Sequence, residues 1–437
     1  VHSIIATDWK ARVLDSVGFV GLGKLGLPCA AALSVVGKKK IFGFDINPNV
    51  RTYVEECKVP YEESRVEEFL SKADINIMDS IVDVVGKSEI VFVAVQTPHE
   101  EQFEGTTPVP DVTRDFDYTF LKSAIEEIAS GLRIHKDKKL MVVVISTVLP
   151  GTMREHVLPI LEEFKDRVEF CYNPFFIAMG TTIPDYLDPE FLLIGSESTS
   201  SAQKLAGFYA EFLKSPSRPM KIESAELAKV AYNTFIGFKI VFANTLAEIT
   251  SSRGGDVDEI TSALAGANMR LMSAKYLSAG MADGGGCHPR DQIAMSWLSK
   301  DANLSTDIFG WLARARDAQT MRQAELIKSY VVQTGLPVTI LGKAYKANIN
   351  LTVGSPALLL SNFLYKIGIT HVFYDPYTDP ELELSKNPQI FFVATNHFDF
   401  KNLQLPTGSI CIDPWGNAIT AHSGVKFVHP GRESLGV

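Results

Sequence analysis

The residue best placed for covalent chemistry is a lone thiol at the end of a glycine run. Gly284, Gly285 and Gly286 stand directly before Cys287, and a cation and a carboxylate, Arg290 and Asp291, follow closely. Glycines let a ligand approach the backbone and leave the thiol uncovered. A structural cysteine sits instead in an apolar strand or helix. A nearby cation favours the thiolate, which is the attacking form. The plainer alternative is a flexible loop with an incidental thiol. A second pair, Lys229 and Asn233, is four residues apart in a proline-free helical stretch, so the two share one helix face. Both are unusual among the apolar neighbours of a core stripe. The plainer reading of Lys229 is a solvated helix charge.

The elements that must position these groups begin with a buried strand at Val17 to Val20. It runs into Gly21-Leu-Gly23-Lys-Leu-Gly26 and an Ala-rich helix. A second strand, Ile41 to Phe44, ends in Asp45. This is the dinucleotide fingerprint in its proper context: a tight turn, a backbone open to pyrophosphate, a close helix–strand contact, and an acid for a ribose hydroxyl. The expected cofactor contacts are therefore Gly21, Gly23, Leu25, Gly26 and Asp45. An acid at that place repels a 2′-phosphate, which favours NAD over NADP. Two more strands, Glu89 to Val95 and Leu140 to Ile145, end at Thr97 and at Ser146-Thr147. Carboxyl ends of such strands are where a doubly wound sheet binds its ligand. Thr97, Ser146 and Thr147 are thus candidate contacts, with strand-end capping as the alternative. The polar stretch from Pro98 to Phe116 reads as a long loop suited to a lid.

Beyond these, Glu223 to Ser251 reads as one long helix, followed by a shorter one at Asp256 to Ala265 and by the cysteine loop. Trp311 to Thr334 is a linking helix. The alternating pattern then restarts with strands at Val338 to Leu341, Val372 to Tyr374, Ile390 to Ala394 and Ile410 to Ile412, and a helix at Pro356 to Ile367. The expected fold is α/β: two Rossmann-like doubly wound parallel sheets joined by a long central helix and a helical middle domain. The expected domains are 1–214, binding the dinucleotide, 215–316, helical and dimerising, and 317–437, a second Rossmann-like unit.

At 437 residues the chain is too long for a single core. A net charge of -9 argues against a nucleic-acid surface. The five cysteines are scattered, with no Cys-x-x-Cys, which argues for a reducing, cytoplasmic setting and against disulfides or a zinc site. No apolar run is long enough to span a membrane, and no signal peptide is read at the start.

The order of these pieces resembles the UDP-glucose/GDP-mannose dehydrogenase family over nearly the whole chain. Gly21 to Pro28 is similar to the family's G-x-G-Y-V-G-L-P, and Ser146 to Thr152 to its S-T-V-P-V-G-T. Glu226-Leu-Ala-Lys229 with Asn233 and Asn244 resembles its central-helix motif. Gly284 to Asp291 resembles G-G-S-C-F-P-K-D. Gly342-Lys-Ala-Tyr345-Lys346 resembles G-L-A-F-K, with Ser355-Pro356-Ala357 following as S-P-A. The resemblance implies oxidation of a nucleotide-sugar primary alcohol to a carboxylate with NAD, and a homodimer. It implies that Cys287 carries a thiohemiacetal and then a thioester, and that Lys229 with Asn233 stabilises an oxyanion. Asp291 and Thr147 would position a water. Arg270, Tyr276, Gly284, Tyr345 and Lys346 would surround the nucleotide sugar.

The departures are specific. Phe175 stands where the family has the glutamate implicated in thioester hydrolysis. Phe191 and Val353 stand where it has arginines, and Trp415 follows Asp413-Pro without one. Gly286 replaces a serine and His288 a phenylalanine. Two other readings therefore stand beside the acid-forming one: a dehydrogenase on a non-standard nucleotide or nucleoside substrate that stops after two electrons at the aldehyde, or at the thioester, and a catalytically weak NAD-binding homologue.

Overall fold

The computed structural model describes residues 14–98, 100, 114–253, 255–273, 279–285 and 288–430. Eight strands form the first sheet: β1 (Ser16–Val20), β2 (Lys40–Phe44), β3 (Ile75–Ile77), β4 (Ile90–Val93), β5 (Leu140–Val144), β6 (Val168–Tyr172), β7 (Leu192–Gly195) and β8 (Ser217–Met220). Their spatial order is β3-β2-β1-β4-β5-β6-β7-β8. All neighbours run parallel except β6 and β7, whose single pairing is antiparallel. The order reverses direction between β1 and β4, which is the switch point of a doubly wound sheet.

The central strands β4 and β5 are apolar and buried at every position because both faces are covered. The strand period of two divides the side chains between two cores. Val17, Phe19, Ile90, Phe92, Met141 and Val143 enter one, and Val20, Val91, Val93, Leu140, Val142 and Val144 enter the other. The fingerprint helix, Gly26–Gly37, starts against the sheet because Gly26 has no side chain. A Cβ there would lie 2.1 Å from the Gly21 carbonyl oxygen, so no larger residue fits this approach.

The second sheet has five parallel strands: β9 (Val338–Leu341), β10 (His371–Tyr374), β11 (Ile390–Val393), β12 (Ile410–Ile412) and β13 (Lys426–Val428). Their order is β10-β9-β11-β12-β13. It too splits its side chains between two cores, Ile340 and Phe392 on one face and Leu341, Phe391 and Val393 on the other. Both doubly wound sheets expected from sequence are present. Strand β7 falls on the apolar run Phe191 to Ile194, which the sequence predicts as a strand, and β3, β6, β8 and β13 are additional. The first and last of these are three residues long and β8 carries a proline, so their patterns are weak in sequence.

The long helix runs from Ile222 to Arg253, 32 residues, which is about 48 Å at the usual rise. Backbone contacts divide the chain into two compact units, Val1–Gly237 and Phe238–Val437, and the division falls inside this helix. The stretch after Cys287 is not a loop. A helix begins at His288 and runs to Asp301, so Arg290 and Asp291 are helical; Pro289 suits the first turn of a helix, where its missing N–H is not needed. The proposed lid, Pro98 to Phe116, falls largely outside the described residues.

Candidate active site

The sequence-predicted cofactor residues converge on one cleft of the first unit. It has a volume of ≈ 790 Å³ and lies at the switch point. Gly21, Gly23 and Leu25 line it from the fingerprint loop, Asp45 from the end of β2, Thr97 from the end of β4, and Ser146 and Thr147 from the end of β5. Gly26 instead serves the helix–strand contact described above. A Cβ built on Gly23 meets nothing within 4 Å, so the cradle is open to a ligand at that backbone. Asp45 accepts the Leu22 N–H at 2.6 Å and the Asn47 N–H at 2.8 Å. Each carboxylate oxygen keeps a lone pair for a hydroxyl in the cleft. These features fit a dinucleotide.

The hydroxyls at the strand ends are partly committed. Thr97 Oγ1 donates to the Thr147 carbonyl at 2.6 Å, and Ser146 Oγ donates to the Val95 carbonyl. They clasp β4 to β5 and still face the cleft.

Lys229 is set by a different chain of contacts. Ile222, Ala225, Glu226 and Lys229 form the buried stripe of the long helix's first turns. Glu226 is fully buried and accepts N–H bonds from Gly151 at 2.6 Å and Met153 at 2.8 Å. That ties the helix to the segment following β5. Burial pushes the Glu226 carboxyl above its ordinary value, opposed by these two bonds. One turn on, Lys229 Nζ donates to the Phe175 carbonyl at 2.7 Å and lies 4.7 Å from the centre of the Phe176 ring. Phe175 is held in turn because Asn173, fully buried, donates to the Leu193 carbonyl at 2.7 Å. Among the described residues Lys229 has no carboxylate partner. Two of its three N–H donors are therefore available, and burial alone pulls its ammonium below the ordinary lysine value. Asn233, one turn further, is exposed.

The Phe175 ring lines the cofactor cleft and packs edge-on against Tyr186 at 5.3 Å. Phe176, Phe191 and Tyr232 cluster beside Lys229, with ring separations of 5.1 and 4.5 Å from Phe176. The wall around this cation is aromatic.

In the second unit Gly284 and Gly285 lie against the segment that carries Tyr345. The Gly285 N–H donates to the Gly354 carbonyl at 3.2 Å, and a Cβ on Gly285 would meet the Tyr345 ring at 2.9 Å. Tyr345 is half-buried, and Lys346 and Arg270 are exposed. Cys287 and Tyr276 lie outside the described residues, as does the Asp291 side chain.

Sequence reasoning missed the Asp283 cluster. Arg316, nearly buried, pairs with Asp283 at 3.1 Å, and Gln292 donates to the same carboxylate at 2.9 Å. A lone arginine in a helix gave no signal for it. It also missed the role of Glu226, although the residue stood in a quoted motif. Among the described residues no group of acids, histidines or cysteines is arranged to hold a metal.

A doubly wound sheet with an open glycine cradle and an acid at the end of its second strand defines a dinucleotide-dependent oxidoreductase. The chain belongs to the UDP-glucose/GDP-mannose dehydrogenase family: residues 15–213 match that family's NAD binding domain and residues 223–315 its central domain. It is 29% identical over 368 residues to a GDP-mannose 6-dehydrogenase of Azotobacter vinelandii, covering 82% of this chain and 80% of that one. It is 26% identical over 412 residues to the UDP-glucose 6-dehydrogenase AglM of Haloferax volcanii, covering 89% and 92%. Its fold matches a GDP-mannose dehydrogenase from Pseudomonas aeruginosa with a TM-score of 0.82 at 22% identity, over 94% of this chain and 99% of the other. NAD is the cofactor of the matched domain, and the chain is an oxidoreductase acting on CH–OH.

The Lys229 environment gives a testable consequence. Between its lowered value and the ordinary 10.5, the unfolded chain holds the Lys229 proton and the folded chain does not. Lys229 therefore contributes a stability that rises with pH across that window, against the buried thiols of Cys29, Cys171 and Cys411, which burial raises and which pull the other way. Lys229→Met should remove that contribution, lowering the slope of stability against pH relative to the wild type, while leaving NAD binding intact. Urea unfolding from pH 8 to pH 10.5 measures it, and an unchanged slope in the variant would show that Lys229 is not desolvated.

Proposed function

We propose that this enzyme oxidises the primary alcohol of a nucleotide sugar to a carboxylate. The observation that carries the reading is Lys229: a buried ammonium whose one hydrogen-bond partner among the described residues is neutral, the carbonyl of a residue that lines the cofactor cleft. A desolvated cation placed in this way stabilises an alkoxide that forms during oxidation. Bound NAD supplies the hydride acceptor for each of the two oxidations, held by Gly21, Gly23, Leu25 and Asp45 against the ends of β4 and β5. Cys287 adds to the aldehyde to give a thiohemiacetal, and its oxidation leaves a thioester, splitting one hard step into two easier ones. Asn233 assists Lys229 at the oxyanion. Asp291 and Thr147 orient the water. Arg270, Tyr276, Gly284, Tyr345 and Lys346 receive the nucleotide sugar. GDP-mannose and UDP-glucose are the substrates to try first, because the relatives are named for them.

One observation favours a second reading, in which the acyl group leaves slowly or not at all. Phe175 lines the cleft and cannot act as a base. General-base assistance is commonly worth about a hundredfold or more.

A homodimer is also proposed. Leu227, Phe235, Ile236, Phe238 and Val241 of the long helix are between 41% and 56% exposed, more apolar surface than one helix ordinarily leaves to water. A single monomer in sedimentation at micromolar concentration would count against it.

The function is tested by screening nucleotide sugars and counting NADH per molecule of product. Two per carboxylate are expected, with a burst before a slow steady state, and no carboxylate from Cys287→Ser although that variant still binds NAD. Phe175→Glu should shorten the burst and speed the steady state. One NADH per molecule, with aldehyde released, would establish the two-electron reading instead.

A further inference from the structure

The second sheet repeats the backbone clasp of the first. The Gly21 N–H donates to the Phe44 carbonyl, and the Gly342 N–H to the Tyr374 carbonyl, both at 2.9 Å. Leu22 N–H donates to Asp45 at 2.6 Å, and Lys343 N–H to Asp375 at 2.6 Å. Asp45 faces an open cleft. Asp375 is fully buried. It also accepts the Ala344, Tyr377 and Thr378 N–H groups and faces His397 Nε2 at 3.2 Å. This acid is fully engaged with protein and cannot serve a ribose.

His397 is itself buried, with Tyr377 stacked on its ring at 4.5 Å and Phe400 edge-on at 5.1 Å. Its Nδ1 accepts the Asn348 N–H at 2.8 Å, so Nδ1 carries no proton. The proton is on Nε2 and is donated to Asp375. Asn348 sits in the left-handed region at φ 61, where a non-glycine residue needs to be held. Its side-chain oxygen accepts from the Phe398 N–H at 3.0 Å and the Tyr377 hydroxyl at 3.3 Å. Thr395 Oγ1 donates to the Ala344 carbonyl at 2.7 Å. The segment 343–348 is thus fastened at its start by Asp375 and Thr395 and at its end by His397. Tyr345 and Lys346 lie between the fastenings.

We propose that His397 is a positioning residue: by accepting the Asn348 N–H at Nδ1 it fixes the end of the 343–348 segment that presents Tyr345 and Lys346 to the nucleotide sugar, while its Nε2 contact with Asp375 only orients the ring. The proposal rests on the substrate reading above for what the segment receives, but the clasp itself is a property of the fold.

Two substitutions separate the ring nitrogens. His397→Asn keeps an acceptor near the Nδ1 position for Asn348. His397→Gln keeps a donor near the Nε2 position for Asp375 but loses that acceptor. Amide hydrogen exchange at Asn348 should rise in His397→Gln and stay near wild type in His397→Asn, whatever the substrate. With GDP-mannose, UDP-glucose or another nucleotide sugar of the screen, whichever the wild type oxidises, His397→Gln should raise KM about tenfold, the worth of one hydrogen bond, with kcat and NAD affinity little changed. His397→Asn should restore most of it. Unchanged exchange in His397→Gln, or an equal KM rise in both variants, would overturn the proposal. If the wild type oxidises no nucleotide sugar in the screen, the substrate reading fails while the exchange result still judges the clasp. Should both variants fail to fold, Thr395→Val removes the other fastening without touching the imidazole. A KM-only rise in that variant supports the clasp, and an unchanged KM overturns it.

Discussion

The buried carboxylate of Glu226 is the constraint on which the placement of Lys229 in the first unit depends. An unpartnered carboxylate in the interior is costly. This one is offset by the two N–H groups of Gly151 and Met153, which would otherwise be unsatisfied at the start of a helical segment. The exchange fixes where the long helix meets the sheet. Lys229 follows three residues later on the same face, so its depth and direction are inherited from that bond. Neither residue has a free choice of position. A shift of the helix by one residue would expose Glu226 and carry Lys229 away from the Phe175 carbonyl.

The same economy governs the carboxyl ends of the strands. In each sheet an acid after the second strand accepts a backbone N–H from the turn after the first, so the turn is held by a charge-assisted bond. What differs is what the acid has left to offer. Asp45 keeps lone pairs toward a cleft whose glycines admit a ligand. Asp375 is enclosed by four N–H donors and an imidazole, beside a turn in which Ala344 takes the place corresponding to Gly23. One device therefore yields a cofactor cradle in the first sheet and a rigid support in the second.

Much of this was legible in the sequence for identifiable reasons. The first-sheet fingerprint is local: its glycines, strand and acid all lie within one β-α-β unit, and each has a steric reason. Strands β9 and β12 were read to the residue because short apolar runs bounded by turn residues leave little choice. What was not legible depends on distant partners. Asp375 could have been suspected, because it ends a second strand as Asp45 does. Nothing near His397 marked it as the partner of Asn348, 49 residues earlier. The helix after Cys287 was missed because the glycine run suggested a loop. Pro289 occupies that helix's first turn, where proline is tolerated.

The central claim is that Cys287 carries the substrate covalently between two oxidations. Its most direct test is rapid-quench mass spectrometry of the enzyme mixed with NAD and a nucleotide sugar that it oxidises, with the modified peptide then located. The account predicts an acyl adduct on the Cys287 peptide that appears during the first turnover and decays no faster than the steady state. Full conversion to the carboxylate with no adduct at any time would contradict it.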